Sequence, residues 1–367
     1  MPMFKATIVV SFNNEYALTE NFFDNILSIT NSDIEILGIV DGIPDKNTYN
    51  YLGKLNMHIP NLQIIFLEEN IGYSKANNIA AFQSHSDYLI FLNSDTFPIG
   101  TAVYEMVEYM DKNKDVGVAQ GLILYPQTNK VQSAGHIFGF YKTTHAFDGR
   151  NINTPIINRI SERQALGSGF YITRKHLFVS EGGFDELYYN AWEGLEYSLK
   201  IHLRGYKCMY LPYIRAYHVK GSGRNRLYRD ETYQSGYFWS KWGNKIKSDI
   251  CDIYLSQMDQ TEHKNQYLLI NGSSIRTNVW QLLLCKLPLT YCGYYSIPKA
   301  IGRNTVSLED SIPLSFLQSY THLLFVVDHF SDIINNYRTF QIRKSYGLKD
   351  MILDTHGNVI YLNDPRA

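Results

Sequence analysis

Three stretches of this 367-residue chain carry residue types that could do chemistry. The first is Asn93-Ser94-Asp95-Thr96, directly behind the apolar run Tyr88-Leu89-Ile90-Phe91-Leu92. A carboxylate at the carboxyl end of a buried strand is where open α/β sheets bind ligands. If the ligand is a nucleotide, a divalent cation held by Asp95 is the simplest counter-charge for its phosphates. Asp and Ser also cap helices, so at this level Asp95 could equally start the helix that follows. The second stretch is Trp192-Glu193-Gly194-Leu195-Glu196, whose two acids are three apart and share a face if the segment is helical. The third runs from His218 and Lys220 through Gly221-Ser222-Gly223 to Arg224, Arg226 and Arg229. A Gly/Ser-rich loop bearing several cations can fold over an anionic ligand.

The elements that must position these residues alternate in type. Apolar runs over residues 6–12, 34–40, 62–67 and 88–92 read as strands, and 15–29, 46–55, 74–83 and 102–110 as helices. This order predicts an α/β fold: a mainly parallel central sheet with helices on both faces. Right-handed crossovers put the strand ends on one edge, which would gather Asn13, Asp41, Asn70 and Asp95 there. A further strand is expected over 116–124, then an irregular segment over 125–160. His136 and His145 fall in that segment and are given no role. Leu195, Leu199 and Leu203 are expected to form the apolar face of the acidic helix. Residues 231–261 read as a helical connector, and 262–367 as a small α/β domain for acceptor binding or oligomerisation.

Composition excludes several classes. A net charge of −1 argues against a broad nucleic-acid-binding surface. The turn after the first strand is Ser11-Phe12-Asn13-Asn14, with no Gly-x-Gly-x-x-Gly, so a dinucleotide site is not expected. No Gly-x-x-x-x-Gly-Lys-Ser/Thr loop is present either. Cys208, Cys251, Cys285 and Cys292 form no Cys-x-x-Cys pair and suit a reducing compartment. A strand pattern begins almost at once, and the most apolar later stretch, 279–289, is too short to span a membrane. The expected location is the cytoplasm, with room for peripheral association at the inner membrane face.

Taken together, the segments resemble the family-2 glycosyltransferases of GT-A fold, over about residues 4–230. The resemblance rests on Ile8-Val9-Val10-Ser11-Phe12-Asn13, Asp41, Asn70-Ile71-Gly72 with Asn77, Asn93-Ser94-Asp95-Thr96, Gly182-Gly183-Phe184-Asp185-Glu186, Trp192-Glu193-Gly194-Leu195-Glu196 and His218. The Asn-x-Asp-Thr form is similar to members resembling rhamnosyl- and galactofuranosyltransferases. What the resemblance implies is an inverting, metal-dependent sugar transfer from a UDP- or dTDP-sugar to a glycan or lipid-linked glycan acceptor. It implies Asp41 at the base and Asp95 with His218 on Mn²⁺ or Mg²⁺. Asn93 would replace the first acid of Asp-x-Asp, and Ser11, Asn13, Asn70, Asn77, Arg224 and Arg226 would complete the donor pocket. The family's usual catalytic base falls on Gly194. Glu193 with a shifted backbone, Glu196 one turn on, or loss of transfer would each account for that, and Glu193 is the favoured base. The alternatives of a different class are an inactive nucleotide-sugar or glycan-binding subunit, and a nucleotidyltransferase. The first turn lacks the Gly-rich loop that the latter normally carries. A homo-oligomer is also compatible.

Overall fold

The computed structural model describes residues 4–12, 16–138, 143–219, 228–246, 249, 266–273, 290–297, 305–311, 322–356 and 358–362. The chain divides into two compact units, Met1–Ser248 and Asp249–Ala367. Asn13, Arg224 and Arg226 lie outside the described residues.

In the first unit, strands β1 (Ala6–Phe12), β2 (Ile34–Val40), β3 (Leu62–Phe66) and β4 (Tyr88–Asn93) alternate with helices α1 (Tyr16–Ile29), α2 (Lys46–His58) and α3 (Tyr73–Gln83). A short strand β5 (Thr96–Pro98) precedes α4 (Ala102–Lys112). Then come β6 (Val116–Leu124), β7 (Val131–Ser133), the hairpin β8 (His136–Phe138) and β9 (Thr143–His145), β10 (Ser161–Arg163) and β11 (Phe170–Arg174). α5 (Lys175–Ser180), α6 (Glu193–Leu203), β12 (Lys207–His218) and α7 (Tyr228–Trp242) complete the unit. The segment expected to be irregular therefore holds three short strands and a 3-10 turn over Pro155–Asn158.

The main sheet has ten strands in the order β10-β12-β6-β11-β4-β1-β2-β3, with β5 on β12 and β7 on β6. β1 runs parallel to β2 and β4, and β2 to β3, as the crossover argument requires. β11 lies antiparallel between β4 and β6. Side chains alternate across the sheet. Ile8 and Val10 pack with Phe22, Phe23, Val103 and Met106 on one face. Val9, Leu37 and Phe91 pack with Ala76, Ala80, Phe178 and Tyr197 on the other. Each fully buried aliphatic or aromatic side chain contributes roughly 1.5–3 kcal/mol, which fixes the strand ends that carry the polar residues.

Of the segment expected to be a helical connector over 231–261, the described part is the helix α7, whose Phe238 and Trp242 pack with Phe138, Tyr188, Leu195 and Leu199 inside the first unit. One expectation needs correction. On α6, Leu195 and Leu199 are buried but Leu203, in the last turn, is 42% exposed.

The second unit holds β13 (Gln266–Asn271), β14 (Thr290–Ser296), α8 (Leu308–Ser311), β15 (His322–Val326), α9 (Phe330–Ser345), β16 (Met351–Leu353) and β17 (Val359–Leu362). Its sheet runs β14-β13-β15-β16-β17, parallel apart from the last pair. Arg343 and Asp350 form a buried ion pair at 2.6 Å inside it. Among the described residues no helix is long and apolar enough to cross a membrane.

Candidate functional site

The carboxyl ends of β1, β2 and β4 meet on one edge. Ser11 and Asn93 are register partners on β1 and β4. Asp41 follows β2 directly, and its N–H donates to the Phe12 carbonyl at 3.2 Å. Asn70, beyond β3, donates from Nδ2 to the Asp41 carbonyl at 3.2 Å. The predicted convergence of strand ends therefore holds for each described member.

Asp95 does not cap a helix. Residues 96–98 form β5 instead, paired antiparallel with the end of β12, so that His218 is the register partner of Thr96. α4 begins only after Thr101. The pairing delivers His218 Nε2 to within 3.0 Å of Asp95 Oδ1. The Val219 N–H also donates to the Asp95 carbonyl at 3.0 Å. On the far side of the ring, His218 Nδ1 hydrogen-bonds Gln132 Oε1, a buried β7 residue that nothing in the sequence singled out. An acid and an imidazole that converge in this way form a donor set suited to Mn²⁺ or Mg²⁺, with the remaining positions left to ligand and water oxygens. Among the described residues no group of three or more His, Cys, Asp or Glu is placed to hold a metal.

Asp41 is committed to the backbone. Its Oδ1 accepts from Ile71 N–H at 2.7 Å and its Oδ2 from Gly72 N–H at 3.1 Å. Burial pushes its carboxyl above the usual range, and these two donors pull it back in part. The contacts shape the loop over 70–72. Gly72 has φ +89°, and a Cβ there would stand 2.6 Å from the Tyr189 ring. Asn77 is fully buried and donates to Ser11 Oγ at 3.3 Å and to the Tyr73 carbonyl at 2.8 Å. It braces α3 against the end of β1.

The two acids of α6 sit in different surroundings. Glu193 is 5% exposed, and its Oε1 accepts from Ser168 Oγ at 2.8 Å. Ser168 precedes Gly169, whose carbonyl accepts from Asn93 N–H at 3.2 Å, so one short segment joins the Asn93 end of β4 to Glu193. Glu196 is fully buried; its Oε1 accepts from Lys241 Nζ at 2.8 Å and Trp242 Nε1 at 3.2 Å, both on α7. Lys241 also reaches Asp185 at 2.8 Å. Burial works against the Lys241 ammonium, but the two carboxylates outweigh it and raise its pKa. Glu196 is thus occupied in docking α7 onto α6.

Gly194 has a steric cause. A Cβ there would lie 2.3 Å from Ser168 Cβ and 2.7 Å from Ser168 N. The segment before β11 occupies the space a side chain would need. Gly194→Ala is therefore expected to lower stability by about 1–3 kcal/mol, read as a drop in melting temperature. A melting point equal to wild type would show that the segment moves aside freely. Just before the helix, Ala191 and Trp192 have φ of +150° and +74°. Left-handed backbone at non-glycine residues costs roughly 1–3 kcal/mol and concentrates at functional sites. Packing of Trp192 on Phe238 and the Glu196 N–H to Trp192 carbonyl bond at 2.8 Å hold it here. This backbone places Glu193 in the first turn of α6, where a helix favours negative charge.

His136 and His145, left aside in the sequence, lie against each other with ring centroids 4.4 Å apart and planes tilted by 52°. Burial, with His145 beside it, keeps His136 well below its usual pKa. The Cys208 thiol is buried and donates to the Ser198 carbonyl at 3.2 Å, as expected of an ordinary core cysteine.

Residues 7–166 match glycosyl transferase family 2. The chain is 25% identical over 228 residues to an O-antigen biosynthesis protein, RfbC, of Myxococcus xanthus, covering 60% of this chain and 18% of that one. It is 27% identical over 215 residues to the poly-beta-1,6-N-acetyl-D-glucosamine synthase of Staphylococcus aureus, covering 56% of this chain and 48% of that one. The chain thus spans about half or less of the length of these curated relatives. Among solved structures, GalNAc-T7 with UDP, GalNAc and Mn²⁺ superposes with a TM-score of 0.53 at 16% identity, over 65% of this chain and 49% of that one. The mannosyltransferase PcManGT of Pyrobaculum calidifontis, in complex with GDP-Man and Mn²⁺, gives 0.50 at 14% identity, over 66% and 65%. At these identities the two structures establish the fold, which is GT-A.

Proposed function

We propose, from the match of residues 7–166 to glycosyl transferase family 2 and from the GT-A fold, an inverting, divalent-metal-dependent glycosyltransferase. Its donor is a UDP- or dTDP-sugar, and its acceptor a glycan or lipid-linked glycan on the cytoplasmic side of the membrane. The observation that carries the proposal is the meeting of Asp95 and His218 at 3.0 Å, beside Asn93 on the carboxyl edge of the sheet. Asp95 and His218 would hold Mn²⁺ or Mg²⁺, the cation's part being to offset the charge that grows on the departing diphosphate. Asn93 lies one strand over from Ser11, and its neutral amide suits a ribose hydroxyl or a water. Asp41 and Asn70 form the wall that receives the base, and Arg224 and Arg226 steady the diphosphate. Glu193 takes the proton from the acceptor hydroxyl as the sugar bond forms, while Ser168 holds its other oxygen in place. Glu196, tied to Lys241 and Trp242, anchors the helix that presents Glu193. The names of the relatives, an O-antigen biosynthesis protein and a poly-beta-1,6-N-acetyl-D-glucosamine synthase, support a polysaccharide product, and Mn²⁺ in the neighbouring structures supports the metal.

One observation favours a second function, a non-catalytic nucleotide-sugar-binding subunit. The usual position of the base is Gly194, and Ser168 fills the space beside it.

A thermal-shift panel tests the donor. A ligand that binds only the folded chain raises its melting temperature. UDP- or dTDP-sugars with Mn²⁺ are expected to shift it by several degrees more than either component alone. A larger shift with GDP-sugars would overturn the pyrimidine donor, and equal shifts with and without Mn²⁺ would overturn the metal.

A further inference from the structure

We propose that Gln132 is a positioning residue that sets which imidazole nitrogen of His218 is offered to a cation. The inference rests on the metal-binding role proposed above for Asp95 and His218. Gln132 lies in the middle of β7 and is 6% exposed. Its amide meets His218 at two points. Nε2 donates to the His218 carbonyl at 3.4 Å, and Oε1 faces His218 Nδ1.

The two contacts together fix a hydrogen. A backbone carbonyl only accepts, so the amide NH₂ must face it. That turns the amide oxygen to Nδ1. An amide oxygen also only accepts, so Nδ1 must carry the hydrogen. A neutral ring with its hydrogen on Nδ1 has its lone pair on Nε2, the atom 3.0 Å from Asp95 Oδ1. Asp95 alone would select the opposite form, because a carboxylate at hydrogen-bond distance draws the N–H onto Nε2. That hydrogen would occupy the lone pair a cation needs. Gln132 therefore works against the pull of Asp95. It is well placed to do so, since its neighbours Val131 and Ser133 are held on β6 and the amide cannot swing away with the backbone.

The test is a titration of the full chain with Mn²⁺, followed by the electron paramagnetic resonance signal of the free ion, with no turnover involved. Two variants are compared with wild type. Gln132→Met keeps length and packing but offers no oxygen to Nδ1; it is expected to weaken Mn²⁺ binding by roughly tenfold or more. Gln132→Glu restores an oxygen facing Nδ1 and is expected to stay within about threefold of wild type. If Gln132 serves packing alone, the order reverses, because Met suits a buried site and Glu buries a charge there. Wild-type affinity in Gln132→Met, or weaker binding by Gln132→Glu than by Gln132→Met, overturns the inference while the metal site stands. A wild-type chain that binds no Mn²⁺ overturns the metal site itself, and the role of Gln132 with it.

Discussion

Asp95→Ala is expected to lower sugar transfer by roughly a thousandfold or more, the scale seen when charge stabilisation at a reacting centre is removed. The size follows from position. Asp95 contributes the only carboxylate that meets His218 among the described residues. Without it one imidazole is left, and a hard cation is poorly held by a single nitrogen. Nucleotide binding should lose its Mn²⁺-dependent part and keep the part that depends on the base-side wall of Asp41 and Asn70. The fold should survive, because the tie from Val219 N–H to residue 95 is made by the backbone carbonyl, and β5 pairs with β12 through backbone as well. Asp95→Asn is the companion variant: it keeps the volume and loses the charge. Measured transfer rates, with binding isotherms in Mn²⁺ and in a chelator, decide the matter. Full activity of Asp95→Ala, or of wild type in the chelator, would sink the metal role.

Glu193→Gln is expected to cut kcat by about 10²–10⁴, the usual contribution of a positioned general base, with little change in donor affinity. The amide fills the same space and its oxygen can still accept from Ser168 Oγ, so the segment over 166–169 should stay where it is. A loss confined to kcat would identify Glu193 as the proton acceptor. A loss shared with donor binding would instead mark it as part of the pocket wall. Equal turnover in wild type and variant would remove Glu193 from the reaction. Donor binding by wild type with no turnover on any glycan acceptor would favour the non-catalytic subunit, and Gly194 would then mark its origin.

Much of this site was legible in the sequence because one rule of sheet construction connects distant residues. Once the strands over 6–12, 34–40 and 88–92 are recognised, Ser11, Asp41 and Asn93 must share an edge, whatever lies between them. Whether Asp95 starts a helix was open only until the strand after it was seen: Pro98 before a helical pattern looks like a helix entry, but pairing with β12 claims the segment. Gln132 was not legible. It falls in the segment read as irregular, where a polar side chain gives no sign of burial, and only the end of β12 brings His218 to it. α7 escaped for a related reason. Its Tyr, Trp and Lys residues suit an exposed connector as well as a buried contact, and the choice depends on Asp185 and Glu196, two acids far back in the chain. Gly194 announced a departure but not its cause, since Ser168 approaches it from a different element.

The pairing of β12 with β5 also has a consequence in time. Asp95 is in place as soon as β4 joins β1, early in the order of synthesis. His218 arrives at the end of a twelve-residue strand that must first zip along β6. Contacts between residues so distant in sequence form slowly, because a long loop has to close before they give anything back. A ribosome-bound chain that has not yet extruded β12 would lack the strand that holds β10 and β5 in the sheet, and would hold Asp95 without His218 beside it. The contact between Asp95 and His218 would therefore form late in the folding of the first unit, with α7 still to follow.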